Sequence, residues 1–230
     1  MNKRPRRTAI HEAGHALAFW WNDQHIERVT VRTWTEAFTG PMIDLRGNPQ
    51  NVEGLVEADY LVPHPSFDAP GIAEYLPSMV ESIERDLLHC FAGPVAEAVY
   101  RHTKSDKFIS GSGWGDRRRG YELISLLPAR KLLDAESQAI ARSSCLVRRY
   151  WPAVTAVADL LQEHGTVNGD AITALLCEVT GESPTRLTND LATLDTRRNR
   201  RWTAAHAKRL FSKAQQSSDR TDSDGPSAQT

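Results

Sequence analysis

The chain has 230 residues, 40% of them hydrophobic, with 28 Lys and Arg against 29 Asp and Glu. That is enough chain for one sizeable core, and the balanced charge gives no global argument for nucleic acid or an anionic membrane as a partner. Cys90, Cys145 and Cys177 are odd in number, far apart and without a CxxC pair. This argues against a disulfide framework and fits buried thiols in a reducing compartment. The basic N-terminus runs into His11, Glu12 and His15 instead of an apolar core, so it does not read as a signal peptide. No stretch reaches the roughly 18 apolar residues needed to span a membrane, and the expected location is the cytoplasm.

In chain order, residues 1–7 read as a basic arm. Its charge run, like Arg117–Arg119 and the cluster at Arg197, Arg198, Arg200 and Arg201, is read as a solvated face. Thr8 is placed as the N-cap of a helix over 9–21, "AIHEAGHALAFWW". "RVTVRTW" (28–34) alternates and is β-branched, and "TGPMIDL" (39–45) is a second extended piece. The two are expected to form a small hairpin or sheet edge, with Pro41 suited to the edge. Residues 46–77 are rich in Pro and Gly and read as a loop insertion.

From 78 to 100, apolar residues at 80, 83, 87, 91, 95 and 99 carry a helical period, and Gly93-Pro94 predicts a kink or close packing. The loop "SDKFISGSGWGD" leads into a helix, "DRRRGYELISLL". Further helices follow over "DAESQAIARSSCLVRRYW", over "WPAVTAVADLLQEHG" (opened by Pro152, closed by Gly165) and over "NGDAITALLCEVTG". A partly helical extension is expected over 182–213 and a disordered polar tail over 214–230. The predicted class is mainly α with a small β-sheet or hairpin.

On a helix, residues four apart share a face, so His11 and His15 can converge on one metal ion. Glu12 points to the side of that pair, where it can take a proton from a metal-activated water without ligating the metal. This is the HExxH pattern of zinc peptidases. Ala13, Gly14 and Ala16 are small enough to let another backbone pack against the helix. Catalytic zinc needs a third protein ligand. The metzincin arrangement is excluded, because its further glycine and histidine positions hold Ala18 and Trp21. Glu81, Glu84 or Glu97 on the following helix could serve, as could Asp116 after the glycine-rich turn. On local sequence alone Asp116 reads first as a plain helix cap.

"HEAGHA" followed by a short "VTV" strand, "LLHCFAGPVAEAVY", "SGSGWGDRRRGYELI" and "LVRRYWPAVTAVADLLQEHGTVNGDAITALL" occur in this order over roughly residues 8–178. Together they resemble the peptidase domain of the FtsH-type membrane-anchored AAA proteases. The resemblance implies a zincin-like helical metallopeptidase domain over 8–181, with one zinc ion held by His11, His15 and Asp116 and with Glu12 as general base. Glu97 falls at an acidic place of the second block and is read as holding a ligand histidine or closing the pocket. The chain departs from the family in having no GxxxxGK[ST] and no membrane span, in "AGP" at 92–94 where the family has GGR, and in Gly115 before Asp116.

The expected activity is therefore that of a zinc metalloendopeptidase which does not itself unfold substrates with ATP. An extended polypeptide substrate is expected to pair with the edge at Thr39, Gly40, Met42 and Asp44, with Trp34, Phe38 and Trp114 as candidate pocket or cover residues. A homo-oligomer or a separate ATPase is compatible with the sequence, and a membrane is not expected as a partner. Nucleic-acid binding at 197–201 with Trp202 is disfavoured by the net charge. The alternative is a regulatory or adaptor protein that keeps the fold and binds metal without proteolysis.

Overall fold

A computed structural model describes residues 3–105, 113–183, 185 and 189–195. The chain is mainly helical with a small antiparallel sheet. From Ala9 onward its first helix, α1 (Arg6–Trp21), is apolar on every side except where His11, Glu12 and His15 project, and a helix of that kind belongs inside a protein. Phe19, Trp20 and Trp21 are almost fully buried, each contributing about 1.5–3 kcal/mol of apolar transfer. The helix starts earlier than expected, after Pro5, so Thr8 is not its cap. The Thr8 hydroxyl instead donates to Glu53 at 2.9 Å. Nor is the basic run before it a free arm. Arg4 donates to the carbonyls of Val31, Gln162 and Glu163, Arg6 pairs with Asp159, and Arg7 pairs with Glu53.

Strand β1 (Ile26–Val31) stops where Thr33 and Glu36 form a reciprocal capping box, which turns "TWTE" into the short helix α2 (Trp34–Phe38). The expected strand over 28–34 is thus cut short. The expected pairing of 28–34 with 39–45 does not occur. The Asp44 carboxylate instead accepts from the backbone of Arg46 and Asn48, and this folds β2 (Met42–Ile43) onto β3 (Pro49–Gln50) as a separate two-stranded piece. The partner of β1 is β4 (Gly54–Ala58), antiparallel, inside the stretch read as a loop insertion. With β5 (Thr166–Asn168) on the other side, the sheet runs β4-β1-β5 and leaves β4 at an edge.

Helix α3 (Pro77–Tyr100) opens on Pro77 and runs through Pro94 without interruption. It lies against α1 so closely that a Cβ at Gly14 would come within 2.6 Å of the Ala92 carbonyl oxygen. The close packing expected at the small residues of α1 is therefore present. Next come α4 (Trp114–Ser125), α5 (Ala129–Arg149), α6 (Trp151–His164) and α7 (Gly169–Thr180), the last capped by Asn168 accepting from Asp170 and Ala171.

A main core forms where α1, α3, α6 and α7 meet the sheet, and a second one where α3, α4 and α5 meet. Leu191 and Leu194 are buried in the main core, so packing continues past the expected boundary at 181. Residues 196–230, with the basic cluster, Trp202 and the expected tail, lie outside the described residues. Cys90 and Cys145 are buried, Cys177 is partly buried, and all three are free. No helix among the described residues is long and apolar enough to cross a membrane.

Glu84 of α3 pairs with Lys131 and Arg142 of α5 and so ties these two helices together. Burial works to raise the Glu84 pKa, but the hydrogen bonds from Lys131 and Arg142 outweigh it and hold the carboxyl below its usual 4.5. A folded pKa below the unfolded one means that the stabilisation is complete above the unfolded value and is lost as pH falls through the folded value. Glu84→Gln is therefore expected to lower stability by about 1–2 kcal/mol at neutral pH, discounted for the partly exposed Lys131. Urea unfolding should show that difference shrinking as pH falls below the ordinary glutamate range and through the lowered folded value.

Candidate metal centre

Helix α1 presents His11 and His15 one turn apart, and Asp116 reaches them from the first turn of α4. The Nε2 atoms of His11 and His15 are 3.0 Å apart. Asp116 Oδ2 is 3.2 Å from His11 Nε2, and Oδ1 is 3.5 Å from His15 Nε2. The cap of α4 is Gly113, and Asp116 makes no capping bond, so its carboxylate is turned to the histidines. Of the four acidic candidates for a third ligand, Asp116 alone joins the two histidines in a metal-sized group. Glu81 pairs with Arg85 and Glu84 with α5, whereas Glu97 stands behind His11.

Each histidine is oriented from behind. His15 Nδ1 is 2.6 Å from the His89 carbonyl oxygen. A carbonyl only accepts, so Nδ1 carries the hydrogen and Nε2 keeps its lone pair for the cluster. Nδ1 of His11 faces the buried Glu97, with 3.5 Å to Oε2. Glu97 thus stands on the side of His11 away from the cluster, where a partner that orients the ring would sit. Gly93 leaves room for the His15 ring, since a Cβ there would sit 2.3 Å from Nε2. The closeness expected at Gly93-Pro94 thus has a specific partner.

Two imidazole nitrogens and a carboxylate, with their lone pairs converging, need a positive charge among them. Tetrahedral zinc with bonds of about 2.0–2.1 Å spaces its ligand atoms roughly 3.3 Å apart, close to the separations found here. The nitrogen donors favour zinc or a similar transition metal over calcium or magnesium. His11, His15 and Asp116 therefore fit such an ion. In the metal-free chain a proton does part of the same work. Burial lowers the His11 pKa, but hydrogen bonds to Asp116 and Glu97 outweigh it and push it up to about 10. Burial also acts to raise the Asp116 pKa, and the neighbouring His15 and His11 hold it well below the usual carboxylate range.

Glu12 is buried beside the cluster, and burial raises its pKa above the ordinary value although His11 and His15 partly offset this. Strand β4 passes directly over it, and a Cβ at Gly54 would lie 2.6 Å from Glu12 Oε1. All of these groups open into one cavity of about 420 Å³. Its rim includes Arg7, which sits 3.2 Å from Glu53 and 3.7 Å from Glu97.

The expected substrate edge does not line this cavity. Thr39 is bonded back to Glu36, Gly40 accepts from Arg32, Met42 pairs with Gln50, and Asp44 is used in its own turn. Residues 51–56, leading into and along β4, line it instead. Trp34, Phe38 and Trp114 are about half to mostly exposed and are neither core nor cavity wall.

The sequence reading also missed Gly54, Tyr60, His89 and Arg119, which are all in the lining. Burial holds the His89 pKa well below the usual value, so His89 stays neutral. Its ring stacks on Phe19 and accepts from Asn22, which leaves its backbone carbonyl for His15. Comparison with protein-family models and with curated proteins gives no match to this chain.

Zinc titration is expected to give one tight site, which His11→Ala, His15→Ala and Asp116→Ala each abolish. Glu97→Gln should keep the stoichiometry and weaken affinity about 10–100-fold, measured by competition with a chromophoric chelator.

Proposed function

We propose that the chain is a zinc metallopeptidase of zincin-like organisation that cleaves within extended polypeptides. The observation that carries this reading is the buried Glu12 beside the convergent His11, His15 and Asp116, in one open cavity. A purely structural zinc site has no use for a carboxylate held next to the ligands and outside them. Bound zinc would supply Lewis-acid polarisation of the scissile carbonyl and an acidified water.

In this reading Glu12 accepts the proton of the attacking water and returns it to the leaving amine. His89 and Glu97 hold the two imidazoles in their ligating orientation. The outer edge of β4, the terminal strand of the sheet, receives the substrate main chain by strand addition, the role first expected of residues 39–44. No P-loop pattern occurs in the 230 residues, so the proposed hydrolysis uses no nucleotide bound by this sequence.

Glu12→Gln keeps the shape of the side chain and removes the base. It is expected to retain stoichiometric zinc and to cut an unfolded protein about 10²–10⁴-fold more slowly. Undiminished cleavage by the zinc-loaded variant would sink the mechanism. Zinc binding with no cleavage by the unmutated chain would favour an adaptor that keeps the metal.

A further inference from the structure

The cavity wall carries two guanidinium groups, and they are held in different ways. Arg7, at the rim, already has carboxylate partners in Glu53 and Glu97. Arg119 lies three residues beyond Asp116 on α4, hence on the same helix face, and lines the same cavity. Its guanidinium carbon sits 3.8 Å from the centroid of the Tyr60 ring, and Nη2 donates to the Val62 carbonyl at 2.9 Å. Its Nε is buried with no hydrogen-bond partner. Among the described residues no carboxylate forms an ion pair with it, in contrast to Arg117 and Arg118 beside it, which pair with Glu136 and Glu122.

Asp86 feels the charge of Arg119 but forms no ion pair with it. Its oxygens accept from the backbone of Leu61 and Val62, at 3.2 and 2.8 Å. It thereby fixes the segment against which Arg119 rests. Phe19 and Val56 give the cavity apolar wall, where a charge pair is stronger than in water. A guanidinium fixed by a ring and a carbonyl, lining a cavity and with no carboxylate in ion-pair contact among the described residues, is preorganised for a carboxylate.

We propose that Arg119 recognises a carboxylate of the polypeptide in the cleft, supplied by an acidic side chain close to the scissile bond or by the substrate's own C-terminus. The proposal rests on the peptidase reading above and gives it a substrate preference.

The test uses the zinc-loaded Glu12→Gln chain, so that binding is read without turnover. The probes are short fluorescent Ala/Gln peptides blocked at both ends, with a single Glu moved through each position, together with the all-Gln parent and the parent with a free C-terminus. One Glu position, or the free C-terminus, should bind roughly tenfold more tightly than the blocked parent. Arg119→Met in the same background should bring that ratio to about 1, with Arg119→Lys in between.

A ratio unchanged by Arg119→Met would mean that the carboxylate is read elsewhere, the metal included, and would overturn the proposal. Equal weakening of every peptide would do the same, reducing Arg119 to a tether for residues 60–62. Should Arg119→Met fail to fold by circular dichroism, the series with Arg119 intact still decides, because no preference for any carboxylate overturns it. Carboxylate preference without cleavage by the unmutated chain would remove the peptidase reading alone, and cleavage without that preference would remove this proposal alone.

Discussion

The constraint on which the structure turns is that its most deeply packed helix carries ionisable side chains. His11, Glu12 and His15 leave water together with the aromatic end of α1, and charged groups in such surroundings are tolerated only when each is paired or hydrogen-bonded. The neighbouring elements supply the partners. Helix α3 offers a main-chain carbonyl to His15 and a carboxylate to His11, and α4 offers Asp116. These groups would be an expensive defect in a core built for stability alone. Here they converge on a point that opens into a cavity.

The convergence depends on how closely two helices can approach. Gly14 lets the backbone of α3 touch that of α1, and Gly93 leaves the His15 ring a seat on α3. With the helices farther apart, the His89 carbonyl could not reach His15 Nδ1, and the ring would lose the bond that sets its tautomer. The same approach buries Leu88, Ala92, Val95 and Ala96 against α1 in the main core. One set of small residues thus serves both the packing and the convergence of side chains, which couples the stability of the α1–α3 interface to the geometry of the His11–His15–Asp116 group.

Much of this was legible in the sequence, for unequal reasons. A spacing of four on a helix becomes a shared face by geometry alone, so His11, Glu12 and His15 could be placed without the structure. Asp116 could not, since its local sequence favours a cap over a ligand, and only the resemblance to a peptidase family reversed that order. The edge strand was missed because "GLVEA" is short and lies among prolines and glycines. Its extended form comes from pairing with β1, a long-range contact that local composition does not report. Residues 39–44 carried better local strand signals, but the Asp44 turn withdrew them into their own hairpin. The run Arg117–Arg119 misled in another way. Successive helical residues point about 100° apart, so one arginine could meet Glu136, the next Glu122 and the third the cavity.

The cavity's charges argue from a different direction for what it holds. Four carboxylates, Glu12, Glu53, Glu97 and Asp116, line it against two guanidiniums, Arg7 and Arg119. With neutral histidines that leaves two negative charges in a partly desolvated space, and the metal-free chain responds by drawing protons in. His11 holds its proton far above the ordinary imidazole range, and burial, with a smaller contribution from Asp116, raises the Glu12 pKa above that of a free glutamate. A divalent cation between His11, His15 and Asp116 would cancel the excess and free His11 of its proton, because a ligating imidazole must be neutral. It would also lower the proton affinity of Glu12 and favour the carboxylate form that a general base requires. In the proposed function the metal and the base would form a single electrostatic arrangement, and Arg119, with no ion-pair partner among the described residues of the wall, would be available to an anion that arrives with the substrate.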